Sequence, residues 1–310
     1  MKISSELTTT FALLAAMLLW ASSFVALKYT FEHFDPWFVI FARMAVALLF
    51  ALMIAPGIFR SVSITRQDLR SLLLMALFEP GLYFVFETEA LKNTAASQAG
   101  MITALFPVMV ALGAWLWIGE RIGFRIVFGG LLAFAGAVGL SLTAASDTSA
   151  PAPLYGNFME FLAMVSAVAY TLTLKRLSHR FGPLFLTAFQ ALAGTAFFAL
   201  FLLFRPEALP RSFPPEPTLA ILYLGVAVSF VAYGLYNYGV SRIPASRASL
   251  FINLIPVFAV LLGWGLLDER FSWREILASA LILTGVFIAQ RDVPPDIKET
   301  LGDPELPKGA

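Results

Sequence analysis

The chain of 310 residues has no cysteine and only two histidines, His33 and His179. The first absence excludes disulfides, thiolate metal sites and cysteine nucleophiles. Both histidines fall in polar connections, so a histidine-rich metal site is excluded too. Charge is also scarce, at 13% of residues with a formal net charge of +1. Soluble domains usually carry about 25% charged residues, and a nucleic-acid-binding domain is usually strongly basic. What the chain has in excess is hydrocarbon: 59% of residues are hydrophobic and the mean hydropathy is +0.81. A water-facing surface needs more polar residues than remain, so the chain reads as an all-α polytopic membrane protein.

A helix crossing a bilayer needs about 20 mostly apolar residues. Ten segments qualify: 9–30, 36–55, 69–91, 94–118, 123–143, 155–175, 183–204, 217–239, 245–267 and 273–290. The stretches between them hold turn and charge signals such as HFDP, KNTA, GERIG, DTSAPAP and SRIPAS. The apolar run FALLAAMLLWASS could pass for a signal peptide, but Lys2 is followed by Glu6, a poor positive leader. The segment from 292 to 310, rich in proline and charge, reads as a flexible cytoplasmic tail.

An internal repeat organises the spans. Residues 90–122 lie over 239–271 without a gap, and 10 of the 33 positions are identical. These include Ala96/Ala245, Ser97/Ser246, Pro107/Pro256 and Glu120-Arg121/Glu269-Arg270. At a shift of 147, Leu27-Lys28 falls over Leu174-Lys175 and Pro36 over Pro183. The chain therefore divides into five-helix units at 8–145 and 153–291. With a cytoplasmic N-terminus, fourteen lysines and arginines fall inside and six outside, which favours both termini inside. An odd number of helices per unit inverts the second unit relative to the first. Inverted repeats are common in secondary transporters, whose sites lie near the midplane between them.

Several features together resemble the drug/metabolite transporter superfamily in its EamA-type branch. They are the ten helices, the LLWASSF of the first, the arginine in the second, and ALxxTxAS…P…GER with its echo in the second unit. The resemblance covers about residues 8–290. It implies a basket of helices around a central cavity, with the fifth and tenth peripheral, and solute movement without ATP hydrolysis. It implies a bacterial inner-membrane location, and bacterial aromatic amino-acid exporters are the similar type. The expected function is export of small metabolites, above all amino acids, by alternating access. Import or exchange of sugars or nucleotide precursors is the alternative. An intramembrane enzyme would need a catalytic set that the spans lack, and a channel would need a repeated filter motif.

The candidate site residues are the polar and aromatic groups at mid-span. Glu79 is followed by Pro80 and Gly81 inside the third span. An ionised carboxylate there costs roughly 2.5–3.5 kcal/mol on insertion scales, so Glu79 should face a cavity at a kink. At 100° per residue it shares a face with Tyr83, Phe86 and Glu87. A buried structural acid, substrate recognition and proton coupling all remain open for it, and the resemblance carries no role to position 79. Glu87 and Glu89 read as a solvated vestibule. Arg43 must find a carboxylate, carbonyls or water, either as a clamp or as a partner for an anionic substrate group. Its repeat partner is Gln190. Trp20 and Ser23 share one face of the first span, as packing groups or as ligand contacts, and their repeat equivalents are Ala167 and Tyr170. Tyr233 and Asn237 share a face of the eighth span, whereas Tyr236 and Tyr238 read as interfacial aromatics. Asn253 in the ninth is a binding group or helix–helix glue. Pro107 and Pro256 deprive the carbonyls of Thr103 and Ile252 of their usual partners, as packed kinks or as hinges. The expected partners are a small-molecule substrate, the lipid bilayer and protons. No cofactor, metal or nucleic acid is expected, and the expected unit is a monomer.

Overall fold

The computed structural model describes residues 2–59, 62–118, 123–144, 146–243 and 245–290, without the side chains of 2–6, 114–118, 245–247 and 290. The GER stretch at 119–121 and the 292–310 tail lie outside the described residues. The order is α1 (Lys2–Phe31), α2 (Pro36–Ile54), α3 (Arg66–Asn93), α4 (Ala96–Ile102 and Phe106–Ile118), α5 (Phe124–Thr143). It continues with α6 (Pro153–Leu177), α7 (Pro183–Leu203), α8 (Pro215–Arg242), α9 (Ala245–Phe251 and Leu254–Leu267) and α10 (Trp273–Gln290). Among the described residues, α1 to α9 are each long and apolar enough to cross a membrane, and no strand occurs.

Local chemistry sets where these helices begin. Asp35 accepts a hydrogen bond from the Trp37 amide at 2.9 Å, and Pro36 takes the first helical position, where its missing N–H costs nothing. Thr65 and Asp68 form a reciprocal capping box at the start of α3. Pro153, Pro183 and Pro215 open α6, α7 and α8 in the same way as Pro36 opens α2.

The two halves make corresponding contacts. The start of α6 lies along the end of α3, as α1 lies along the end of α8. The α2–α7, α4–α9 and α5–α10 pairs join each helix to its own repeat equivalent. The α5–α10 pair is peripheral, with large apolar side chains such as Leu131, Phe134, Ile276 and Phe287 turned outward. In a membrane, helix association depends on close packing rather than on water exclusion. Here a Cβ at Gly129 would stand 2.4 Å from the Gly285 carbonyl oxygen, so the crossing requires glycine.

The doubled motif has a structural use. Glu269 from the second copy accepts hydrogen bonds from the Ala96 and Ser97 amides of the first, both at 2.9 Å. A carboxylate across these free amides satisfies donors that the helix cannot and complements its positive end. Lys175 likewise bonds the carbonyls of Val240 and Ile243 at the end of α8.

The two mid-span prolines have matching effects. In α4 a 3₁₀ turn at Thr103–Leu105 precedes Pro107, and the Phe106 amide bonds the Thr103 carbonyl. In α9 the helix is interrupted at residues 252–253, and the Ile255 amide bonds the Ile252 carbonyl at 2.9 Å. Each carbonyl orphaned by proline thus takes a tighter, i to i+3 bond.

Candidate functional site

α3 breaks where its sequence requires. Glu79 is extended at φ −151° and ψ 118°, while the flanking residues are helical. The neighbouring chain fits closely around the break: a Cβ at Gly194 of α7 would stand 2.7 Å from the Pro80 ring and 2.5 Å from the Met44 sulfur. The extended residue turns the Glu79 side chain into the bundle, where Tyr233 donates its hydroxyl to Oε1. Tyr233 is itself held by the Trp20 ring at 5.0 Å and the Phe84 ring at 6.3 Å. α8 widens over Leu224–Ala232, the stretch that corresponds to the α3 break, just before Tyr233.

These groups line a narrow central cavity of about 40 Å³ built from α1, α2, α3, α4, α6, α8 and α9. Trp20, Ser23, Arg43, Glu79, Tyr83, Tyr170 and Tyr233 all line it. So does Ala167, so both repeat-related pairs on α1 and α6 meet at the same space. Its walls are aromatic, with few polar groups, as is usual for small-molecule sites. The Ser23 hydroxyl is turned back to the Trp20 carbonyl at 2.6 Å.

Arg43 is 1% exposed. Its Nε donates to the Ser229 hydroxyl at 2.7 Å, and its guanidinium lies 4.5 Å from the Phe84 ring centre. Nη1 stands 3.8 Å from Glu87 Oε2, and neither of these two atoms has a hydrogen-bond partner. The other Glu87 oxygen accepts from Tyr83 at 3.0 Å. A cation and an anion with unused hydrogen-bonding capacity therefore stand together in the cavity wall.

Glu87 is thus not in a solvated vestibule. It is 3% exposed and lines the cavity, because the break at Glu79 and the packing of α6 on the end of α3 enclose it. Glu89 is partly exposed and pairs with Lys92 at 2.8 Å. Phe84, not Phe86, faces the cavity, since the helical phase restarts after the break. Tyr236 is not interfacial: it is buried, lines the cavity and sets its ring 4.8 Å from that of Trp20 at a tilt of 51°. Tyr238 lies partly exposed beneath the Arg242 guanidinium.

Two candidates stand outside the lining. Asn237 is buried behind it, accepting from Tyr170 at 2.6 Å and donating to Thr187 at 2.9 Å and Gln190 at 3.0 Å. It fixes the tyrosine that faces the cavity. Asn253 does not line the space, although its neighbours Ile252 and Ile255 do, and its Oδ1 is buried without a partner. Pro107 and Pro256 are also set back from the lining. The most deeply buried acid was missed by sequence reasoning: Glu160 on α6, 0% exposed. The shift of 147 places Leu13 opposite it, and that mismatch of charge against hydrocarbon was the available signal.

A helical membrane bundle with equivalent contacts in its two halves, closed around an aromatic cavity with a few buried charges, defines a polytopic transporter. The EamA-like transporter family matches residues 7–142 and 154–290, and the chain belongs to that family. It is 27% identical over 280 residues to the uncharacterized transporter YetK of Bacillus subtilis, covering 89% of this chain and 85% of that one. It is 26% identical over 300 residues to a probable terminal-alkyne amino-acid exporter of Streptantibioticus cattleyicolor, covering 94% and 95%. A solved crystal structure with 24% identity superposes with a TM-score of 0.64 over 91% of this chain and 96% of that one, a likeness of fold. The family and the two sequence relatives are named as transporters or an exporter, and the chain is a transporter rather than an enzyme.

Proposed function

We propose that the chain is a secondary transporter exporting amino acids across a bacterial inner membrane by alternating access. The carrying observation is the wall in which Arg43 and Glu87 present unpaired polar atoms beside Glu79 and a group of aromatic rings. A zwitterion offers a carboxylate to Arg43 and an ammonium to the glutamates or to an aromatic face. The similarity to a chain named as a probable amino-acid exporter favours the same class. Phosphorylated sugars or nucleotides would want several cations, and Arg43 is the one cation among the described residues lining the cavity.

The two matched halves act as inverted repeats in this reading, with both termini cytoplasmic by the lysine and arginine count. One chain encloses the cavity, so the working unit is a monomer. The test is a panel of labelled amino acids in proteoliposomes, measured for uptake and efflux with and without a pH gradient. Saturable movement of one or a few, stimulated by unlabelled substrate on the opposite face, supports the reading. No movement of any amino acid rejects it.

A further inference from the structure

Glu160 lies wholly within the protein, and neither carboxyl oxygen has a hydrogen-bond partner. Burying an unpaired carboxylate is far costlier than burying a neutral acid. The fold does not demand an acid here. The repeat-equivalent position holds Leu13, also 0% exposed, which packs against Gly239 of α8 as the start of α6 packs on the end of α3. A leucine serves one half where the other carries a carboxyl group.

Its surroundings indicate what the carboxyl group does. Met164, one turn further along α6, lines the central cavity, while Glu160 itself stands behind the wall. Gly156, one turn before Glu160, packs directly on the end of α3, where an added Cβ would stand 2.9 Å from the Ala90 carbonyl oxygen and 2.8 Å from the Thr94 amide, so Glu160 follows on the face of α6 that runs along α3 toward Glu87. The helices packed on α6 bring few other titratable groups toward the cavity side: Glu79 and Tyr83 on α3, and Tyr233 and Tyr236 on α8. α4 has no titratable residue, α5 has Arg125 near its start, and Arg43 reaches the cavity from α2. More unpaired oxygens cluster on the facing stretch of α3, at Glu87 Oε2 and Thr88 Oγ1.

A polar route leads away on the other side. Asn157, one turn before Glu160, bonds Thr94 at 2.7 Å and Gln98 and Ser141 at 3.0 Å. Gln98 donates to Glu275 at 2.8 Å, near the start of α10. Glu160 therefore stands between the cavity acids and a buried polar chain running toward one end of the bundle.

We propose that Glu160 is the proton-binding site of the transport cycle, paired with Glu87 across the α3–α6 contact. Glu160 takes up one proton as a neutral carboxyl group and releases it as a carboxylate, forming and breaking one O–H bond. While Arg43 neutralises Glu87, Glu160 can release its proton; when substrate engages Arg43, the charge left on Glu87 favours the protonated form of Glu160. This assignment rests on the transport reading, and it gives Glu79 to substrate binding rather than to coupling.

The first test needs no substrate. Wild-type protein is treated with the lipophilic carbodiimide dicyclohexylcarbodiimide, which modifies protonated carboxyl groups in apolar surroundings, and the adducts are mapped by mass spectrometry. Glu160 should be modified, with labelling lost as the buffer is made alkaline. Absence of label at Glu160 at every pH, or label insensitive to pH, overturns the proposal. The second test uses Glu160→Gln and Glu160→Leu in proteoliposomes, with the amino acid that wild type exchanges best. Both should lose accumulation driven by a pH gradient while counterflow persists. A gradient response equal to wild type in either variant also overturns it. If neither variant folds, the wild-type labelling still decides. If wild type exchanges no amino acid, the substrate reading fails while the labelling result stands on its own.

Discussion

Arg43 and Glu87, on different helices and both almost fully buried, stand 3.8 Å apart without completing a hydrogen bond between them. Their separation leaves each partly available to something else. Removing one partner of a buried pair typically costs about 3–5 kcal/mol, because the other charge is left uncompensated. Arg43→Gln should therefore lower stability by roughly 3 kcal/mol, and adding Glu87→Gln should restore part of the loss. Thermal unfolding of the two single variants and the double variant in detergent measures this. Strict additivity would show that the residues do not sense each other.

Glu79 and Tyr233 make a second such pair, joined directly by a hydrogen bond. Tyr233→Phe keeps the ring against Trp20 but leaves the acid without its donor, at a cost of about 1–3 kcal/mol. Glu79→Gln keeps an acceptor and should fold normally. In transport it should weaken counterflow and gradient-driven accumulation together, through lower substrate affinity. Loss of the gradient response alone would instead make Glu79 the coupling group.

The prolines are expected to act on rate. Pro107→Ala and Pro256→Ala restore a donor where α4 and α9 now tighten into i to i+3 bonds, so straight helices should favour one access state. Turnover should fall more than substrate affinity in each variant. Unchanged turnover in both singles and in the double would reduce these features to packing.

Much of this architecture was legible in the sequence for physical reasons. Bilayer thickness fixes span length, and proline after aspartate marks a helix start, so the beginning of the second span at Pro36 could be placed. The doubled Ala-Ser and Glu-Arg pairs announced two equivalent halves, and Glu269 bonding Ala96 and Ser97 shows one use of that doubling. Glu79 and Arg43 were conspicuous because charge is costly at mid-span. Depth and phase were less legible. Glu87 is close to the end of its helix by residue count, but α6 covers it. Phe84 rather than Phe86 faces the cavity because the extended backbone at Glu79 resets the helical phase. Glu160 lies early in α6, where an acid usually means an interface, and only the packing of α3 shows it to be enclosed.

Orientation is tested most simply through the absence of native cysteine. Ser63, in the connection between α2 and α3, is expected on the cytoplasmic side. Ser63→Cys should react with an impermeant maleimide in inverted vesicles and not in intact cells. The reverse pattern would invert the topology.

The central claim is that substrate occupies the cavity between Trp20, Arg43 and Tyr233. Ser23→Cys is a nearly isosteric reporter in that wall, and Gly182→Cys, in the α6–α7 connection, is a control outside it. The decisive measurement is the rate of thiol labelling at each position, with and without the amino acid that exchanges best in counterflow. The account predicts that substrate slows labelling at position 23 in a saturable way and leaves position 182 unaffected. Labelling at position 23 that is indifferent to a substrate undergoing transport would contradict it.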